Sequence, residues 1–327
     1  MMKIKDILVE ADPKLKAAVS LAVKQTEDDN LLHKVLTTLK GSDLHGKLTA
    51  ALATDQDATK YVEIIARIVI DTDGSVQEKE RFASQFKRGF VNINTLFSGQ
   101  RVDWYDFITD NFAAKVFNTM VVSNELRPQG VGPGEIALAV MSPKIMFTGQ
   151  SAGGGDIGVA GVGNVEVKTR VQSAGRWGNA RKARMDVGGI RAALEKAFGE
   201  NMPDRVNIKQ WSRNEGMREQ LRRINPRMLG KICDIIAKGT YAFTDATGYA
   251  NALKSGDEAA LKAAMLSAAW ENYKAYSKFD GMLIIDAPTQ QAHYFSDFAD
   301  MEGHIWPSTL YILAPEQEMF PKVGLIP

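Results

Sequence analysis

Residues 155–171 read GDIGVAGVGNVEVKTRV and contain two short runs in which apolar residues alternate with other residues. A Gly-Asn turn separates the runs, and this combination predicts a β-hairpin. Successive side chains of a strand point to opposite faces. The valines of the second run therefore lie on one face, and Glu166, Lys168 and Arg170 lie on the other. One strand is thus predicted to carry an apolar face and a charged face.

The first run places a second carboxylate beside the charged face. Asp156 begins this run, and only the small Gly158 and Ala160 follow it on the same face, whereas Ile157 and Val159 supply the apolar face. Two carboxylates and a lysine should therefore converge on a surface without bulky side chains. Carboxylate oxygens are ligands for Mg²⁺, so the hairpin predicts a divalent-metal site suited to phosphodiester hydrolysis.

These residues resemble the PD-(D/E)XK, or restriction-endonuclease-like, nuclease superfamily. Its motif is an acid at the start of one strand and an acid-x-lysine on the next strand, often with a glutamate on the preceding helix. Glu135 would supply that glutamate, in the first turn of a helix that we predict to begin at Pro133. The resemblance covers residues 135–172, and Gly155 stands where the family has the proline that names the motif.

The resemblance implies an α+β fold with a restriction-endonuclease-like core, in which helices flank a mixed sheet. We expect this nuclease domain to cover residues 116–327, after a helical N-terminal module at residues 1–115, where apolar residues recur at helical spacing. Further helices are predicted at 187–198, 207–223, 226–238 and 258–276, and further strands at 144–148, 282–285, 293–295 and 310–313.

The resemblance also implies a role for each residue of the motif. Asp156 and Glu166 would bind Mg²⁺, or alternatively Mn²⁺, together with the backbone carbonyl of Val167. Glu135 would complete the ligand set or hold a water molecule on the metal. Lys168 would orient the attacking water or neutralise charge that develops in the transition state.

Positive charge is concentrated directly after the hairpin. The net charge of the chain is only +1, but residues 165–231 hold 16 Lys and Arg against 7 Asp and Glu, a net of +9. A basic segment beside an acidic cluster is suited to binding a polyanion. We therefore expect double-stranded DNA as the partner and leave a homodimer open. The predicted DNA contacts are Arg170, Arg176, Trp177, Arg181, Lys182, Arg184, Arg213, Arg222 and Arg223.

Composition limits the remaining classes of protein. The single cysteine, Cys233, excludes an intramolecular disulfide and a cysteine-rich zinc site, and it is predicted to be buried in a helix. No apolar run reaches the length of a membrane span, and the first residues lack the apolar stretch of a secretory signal. We expect a cytoplasmic protein without a membrane partner.

Two other functions fit parts of the sequence. Residues 149–153 match the G-x-S-x-G pattern of a serine hydrolase, with Ser151 as the nucleophile. That pattern needs a helix directly after the serine, and the glycine-rich continuation disfavours one. The other alternative is a nuclease fold that binds DNA or assembles with partners without catalysing a reaction, since a fold alone does not fix function.

Overall fold

The hairpin predicted from the sequence is present and forms the middle of a larger sheet. In the computed structural model, which describes residues 29–52, 55–127, 131–148, 154–172, 175–176, 180–199, 202–304, 309–323 and 325, the two strands of the hairpin are antiparallel, with Ile157 opposite Val165. Within these ranges, six strands form one mixed sheet. In spatial order they are Arg101–Asp103 (β1), Gln291–Phe295 (β8), Gly281–Asp286 (β7), Gly163–Arg170 (β4), Ile157–Val159 (β3) and Ile145–Phe147 (β2).

Only β4 and β7 run parallel to each other in this sheet, and every other neighbouring pair is antiparallel. Parallel strands need a long crossover connection, and the helices between β4 and β7 provide it. Two antiparallel pairs lie outside the sheet: Gly175–Arg176 (β5) with Lys322–Val323 (β10), and Val206–Asn207 (β6) with Tyr311–Leu313 (β9).

Helices make up most of the remaining described chain, so the fold is a mixed α+β fold in which helices flank the sheet. Before the hairpin they are residues 29–40 (α1), Leu44–Leu52 (α2), Asp55–Asp71 (α3), Val76–Gln85 (α4), Ile93–Leu96 (α5), Trp104–Phe107 (α6), Asn111–Val122 (α7) and Pro133–Met141 (α8). After the hairpin they are Ala180–Ala183 (α9), Val187–Phe198 (α10), Ile208–Ser212 (α11), Met217–Ile224 (α12), Pro226–Thr240 (α13), Thr247–Ser255 (α14), Glu258–Ser277 (α15) and Phe298–Met301 (α16). No helix in the described ranges is long and apolar enough to cross a membrane.

The chain divides into two units, and the division differs from the predicted boundary after residue 115. One unit runs through Asn92 and adds Ile108–Lys144, and the other contains Ile93–Phe107 and Ile145–Pro327. The physical reason lies in the partners of two segments. Strand β1 pairs with β8 at the far end of the chain, whereas α8 is held in the first unit, where the buried Lys47 ammonium donates to carbonyls at the end of that helix.

Most later elements lie where the sequence predicts them, including α10, α13, α15 and strands β2, β7, β8 and β9. The helix predicted over 207–223 is wrong, because it is broken into α11 and α12 before Gly216. A β-carbon at Gly216 would lie 2.5 Å from the Gln210 carbonyl oxygen and 2.8 Å from that of Trp211, which shows how closely the backbone approaches itself there. Cys233 is buried in α13, as predicted.

Both faces of the central strands are covered. All six residues of β7 are buried, as is usual for strands in the parallel part of a sheet. Its Met282 and Ile284, which pair with Glu166 and Lys168 of β4, join a core cluster that includes Trp270 and Tyr273 of α15. The prediction of a charged face free of bulky side chains is therefore wrong, because α15 covers that face.

Candidate functional site

Asp156, Glu166 and Lys168 form one cluster where β3 and β4 meet. The Asp156 carboxylate accepts a hydrogen bond from the Val167 amide at 2.8 Å, and a hydrogen bond joins the Asp156 and Glu166 side chains. The Lys168 ammonium lies 2.7 Å from Glu166 Oε1. The alternation of side chains along β4 brings Glu166 and Lys168 to one face. The cluster therefore contains the three residues that the hairpin pattern brings together.

The three residues of the cluster are buried to different extents. Glu166 is only 4% exposed, the Lys168 side chain is 17% exposed, and Asp156 is half-buried. Asp156 as a whole residue is thus less buried than Glu166, although burial affects both carboxyl groups. A buried charge is stable only with a partner of opposite charge or hydrogen-bond donors, which Lys168 supplies for Glu166.

The two carboxyl groups have pKa values that are displaced in opposite directions. Burial raises the pKa of Asp156 to about 7, and the negative charge of Glu166 adds to the rise, although Lys168 acts against it. Burial alone would raise the pKa of Glu166, but the ammonium of Lys168 and the hydroxyl of Tyr273 hold it below its usual range. Two acids in contact titrate as a pair, and this pair loses its last proton only as the pH approaches about 7.

Tyr273 is a member of the site that the sequence did not reveal. It lies on α15, and its hydroxyl donates to Glu166 Oε1. Its ring centre is 5.2 Å from the Lys168 ammonium, and burial raises the pKa of the phenol well above its usual value. In the sequence Tyr273 is one more aromatic residue on the buried side of a helix. No local signal connects it with a strand 107 residues away.

Gly155 adopts a backbone conformation that excludes proline at this position. Its φ angle is +64°, which proline cannot adopt because its ring fixes φ near −65°. A β-carbon at this position would lie 2.8 Å from the Val165 carbonyl oxygen. The Gly155 amide donates to the Ser277 carbonyl, and its own carbonyl accepts from the Thr148 hydroxyl. This fixed turn holds Asp156 at the entrance to β3.

Glu135 has a different role in the described structure. It is the third residue of α8, and its Oε1 accepts a hydrogen bond from the Gly132 amide at 2.9 Å, as in a helix capping box. Glu135 belongs to the first unit, and Asp156 and Glu166 belong to the second. Its part in metal binding stays a prediction, as does that of the Val167 carbonyl.

No group of three or more His, Cys, Asp or Glu side chains suited to a metal ion occurs within the described ranges. A metal site at the cluster would therefore depend on Asp156 and Glu166 alone among the described side chains. Mg²⁺ commonly takes one or two carboxylates and keeps several waters, so this pair is sufficient in number.

The predicted DNA contacts fall into four groups. Arg170 is not available as predicted, because its guanidinium forms a 2.7 Å ion pair with the fully buried Asp286. Arg184, Lys182 and Arg213 are exposed, and Arg184 lies over the Phe243 ring. Arg222 and Arg223 are exposed but bind Glu219. The described residues do not include Trp177 or the side chains of Arg176 and Arg181. They also do not include Ser151, the nucleophile of the serine-hydrolase alternative.

Asp156→Asn should remove part of the pH dependence of stability in protein treated with EDTA. The folded pKa of about 7 exceeds the unfolded value, so protonated Asp156 contributes stability that is lost as pH rises from about 4 through about 7. The wild-type Tm should therefore fall across this range more steeply than that of the variant, measured by thermal denaturation. Parallel Tm curves would contradict the assignment. Asp234→Asn, at an exposed ion pair with Lys254, is the control.

Gly155→Ala should destabilise the protein more than Gly161→Ala. Both glycines have positive φ, and a non-glycine residue in this region costs about 1–2 kcal/mol. Only Gly155 also faces backbone atoms, whereas a β-carbon at Gly161 meets nothing within 4 Å. Urea unfolding measures both free energies. Equal losses would show that the close approach to Val165 does not constrain the turn.

No protein-family model matches this sequence, and neither a curated protein nor a solved structure matches it. The geometry of the cluster and the charges around it are therefore the grounds for assigning a function.

Proposed function

We propose that the protein is a Mg²⁺-dependent endonuclease that hydrolyses phosphodiester bonds in DNA. The observation that carries the proposal is the contact of Asp156, Glu166 and Lys168 on two adjacent antiparallel strands. An acid before one strand and an acid-x-lysine on the next is the pattern of the PD-(D/E)XK nucleases. A restriction-endonuclease-like core is part of the proposal, and the mixed sheet flanked by helices supports it.

The chemistry of the two acids fits a divalent cation. Asp156 and Glu166 are in contact, and burial together with the negative charge of Glu166 raises the pKa of Asp156 to about 7, so Asp156 binds a proton more tightly than a solvated carboxyl group does. A cation would replace that proton and stabilise both carboxylates in their charged form. Mg²⁺, or Mn²⁺ in its place, would polarise the scissile phosphate and lower the pKa of the attacking water.

Lys168 supplies the positive charge that hydrolysis of a phosphodiester requires. Its ammonium is held beside Glu166 and retains some access to solvent. An ammonium at this position would orient the attacking water or neutralise charge that develops on the phosphate oxygens. Because the side chain is fixed by Glu166 before substrate arrives, little reorganisation is needed during the reaction.

Exposed basic side chains in the same unit support DNA as the substrate. Lys182, Arg184 and Arg213 are exposed, and Arg222 and Arg223 present guanidinium groups that are more than half exposed. Contacts to phosphates fix the position of a protein on DNA and make binding depend on salt. The burial of Glu166 favours a second candidate, a nuclease fold that binds DNA without cleaving it, because a closed carboxylate is poorly placed to receive a metal ion.

Cleavage of a plasmid distinguishes the two candidates. We expect the wild type to cut DNA with Mg²⁺ or Mn²⁺ and not with EDTA. Glu166→Gln and Lys168→Ala should each lower the cleavage rate by at least about 100-fold and leave DNA binding nearly unchanged.

Two matched variants control for the loss of an ion pair as such. Glu318→Gln removes a carboxylate that pairs with Arg205, and Lys254→Ala removes an ammonium 2.8 Å from Asp234. Both should cleave at the wild-type rate. An inactive wild type that still binds DNA would favour the non-catalytic candidate, and full activity of Glu166→Gln would rule out this site.

The double substitution of Lys182 and Arg213 by Ala should weaken DNA binding and flatten its salt dependence. Loss of two phosphate contacts should reduce the slope of log K against log salt concentration by about 1.8. Fluorescence anisotropy on a duplex, in the Glu166→Gln background, measures the slope without cleavage. Replacing Lys87 and Arg88, two exposed basic residues of the first unit, by Ala is the charge-matched control. Equal slopes for both double variants would show that Lys182 and Arg213 do not contact DNA phosphates.

A further inference from the structure

The C-terminal end of α15 contacts Glu166, Lys168 and the residue that precedes Asp156. The Tyr273 hydroxyl donates to Glu166 Oε1, and the Tyr273 ring lies 5.2 Å from the Lys168 ammonium. Four residues later, the Ser277 carbonyl accepts the Gly155 amide at 2.8 Å, directly before Asp156. Residues four apart lie on the same face of a helix, so one face of α15 holds both strands of the hairpin.

Two donors bind the same carboxylate oxygen of Glu166. Tyr273 and Lys168 both donate to Glu166 Oε1, and a further hydrogen bond joins the side chains of Glu166 and Asp156. Glu166 and Tyr273 are almost completely buried, at 4% and 3% exposure, so solvent cannot readily take over the role of either donor. The carboxylate is therefore held in one orientation by two groups from different elements.

We infer that Tyr273 is the positioning residue of this site. Its hydroxyl fixes the Glu166 carboxylate in the orientation in which it would bind a metal ion together with Asp156, and its ring supports the Lys168 ammonium beside it. This inference rests on the proposed function, because it concerns how the same acids receive Mg²⁺. Residues that hydrogen-bond to a metal ligand orient it, and their replacement typically lowers metal affinity by about 10–100-fold.

Tyr273→Phe distinguishes the contribution of the Tyr273 hydroxyl from that of its ring. The phenylalanine keeps the aromatic packing and the ring beside Lys168 and loses only the bond to Glu166. Tyr241→Phe is the matched control, because Tyr241 is also buried in this unit and its hydroxyl donates to the Met265 carbonyl at 3.1 Å. Both variants lose one buried hydrogen bond, and only one of them touches the acidic cluster.

The experiment measures Mg²⁺ binding by calorimetry without DNA, the dependence of cleavage on Mg²⁺ concentration, and the Tm in EDTA. We expect Tyr273→Phe to weaken Mg²⁺ binding by about 10-fold or more and to recover most of its cleavage rate at saturating Mg²⁺. Tyr241→Phe should lower the Tm to a similar extent and bind Mg²⁺ as the wild type does. Tyr273→Leu, which also removes the ring, should lower the rate at saturating Mg²⁺ as well.

The outcomes separate this inference from the proposed function. A wild type that neither binds Mg²⁺ nor cleaves DNA would overturn the nuclease proposal and the positioning role with it. An active wild type with unchanged Mg²⁺ affinity in Tyr273→Phe would overturn only the positioning role and leave Tyr273 as a core residue. Equal weakening of Mg²⁺ binding in the Tyr241 and Tyr273 variants would also overturn it, because the effect would then follow general loss of stability.

Discussion

The burial of Glu166 is the constraint on which the rest of the site depends. A carboxylate that is only 4% exposed cannot remain charged without compensation, since removal from water costs several kcal/mol even after relaxation. Lys168 supplies the opposite charge and Tyr273 supplies a hydroxyl donor. Burial raises the pKa of the neighbouring Asp156 to about 7, and the charge of Glu166 adds to this rise, although Lys168 acts against it. The orientation of all four side chains follows from the need to stabilise one buried charge.

The sheet topology explains why a tyrosine from a distant helix reaches this carboxylate. Strands β4 and β7 are parallel, so the chain must cross over between them, and parallel strands are usually covered on both faces. Helix α15 is the last helix of this crossover and lies directly before β7. It therefore packs on the face of β4 that carries Glu166 and Lys168. The same packing that buries Met282 and Ile284 also brings the Tyr273 hydroxyl to Glu166.

The sequence predicted those parts of the site that depend on local periodicity. Alternation of side chains is a property of each strand by itself, so the proximity of Asp156, Glu166 and Lys168 could be derived from residues 155–171. Tyr273 could not, because its partner is defined by the crossover rather than by its neighbours in the chain. The same reason applies to β1, whose partner β8 lies near the other end of the chain. The positive φ of Gly155 also escaped prediction, because it depends on the close approach of the Val165 backbone.

The number of basic residues in a sequence segment overestimates how many basic side chains can bind a polyanion. Residues 165–231 carry a net charge of +9, but the fold commits several of these cations to its own carboxylates. Glu219 alone pairs with Arg218, Arg222 and Arg223, and Arg170 neutralises the buried Asp286. A buried carboxylate that loses its cation is strongly destabilised, so Arg170 cannot leave Asp286 to bind a phosphate without cost to the fold. Exposure to solvent, and not the number of charges in the sequence, therefore decides which of these cations could reach a polyanion.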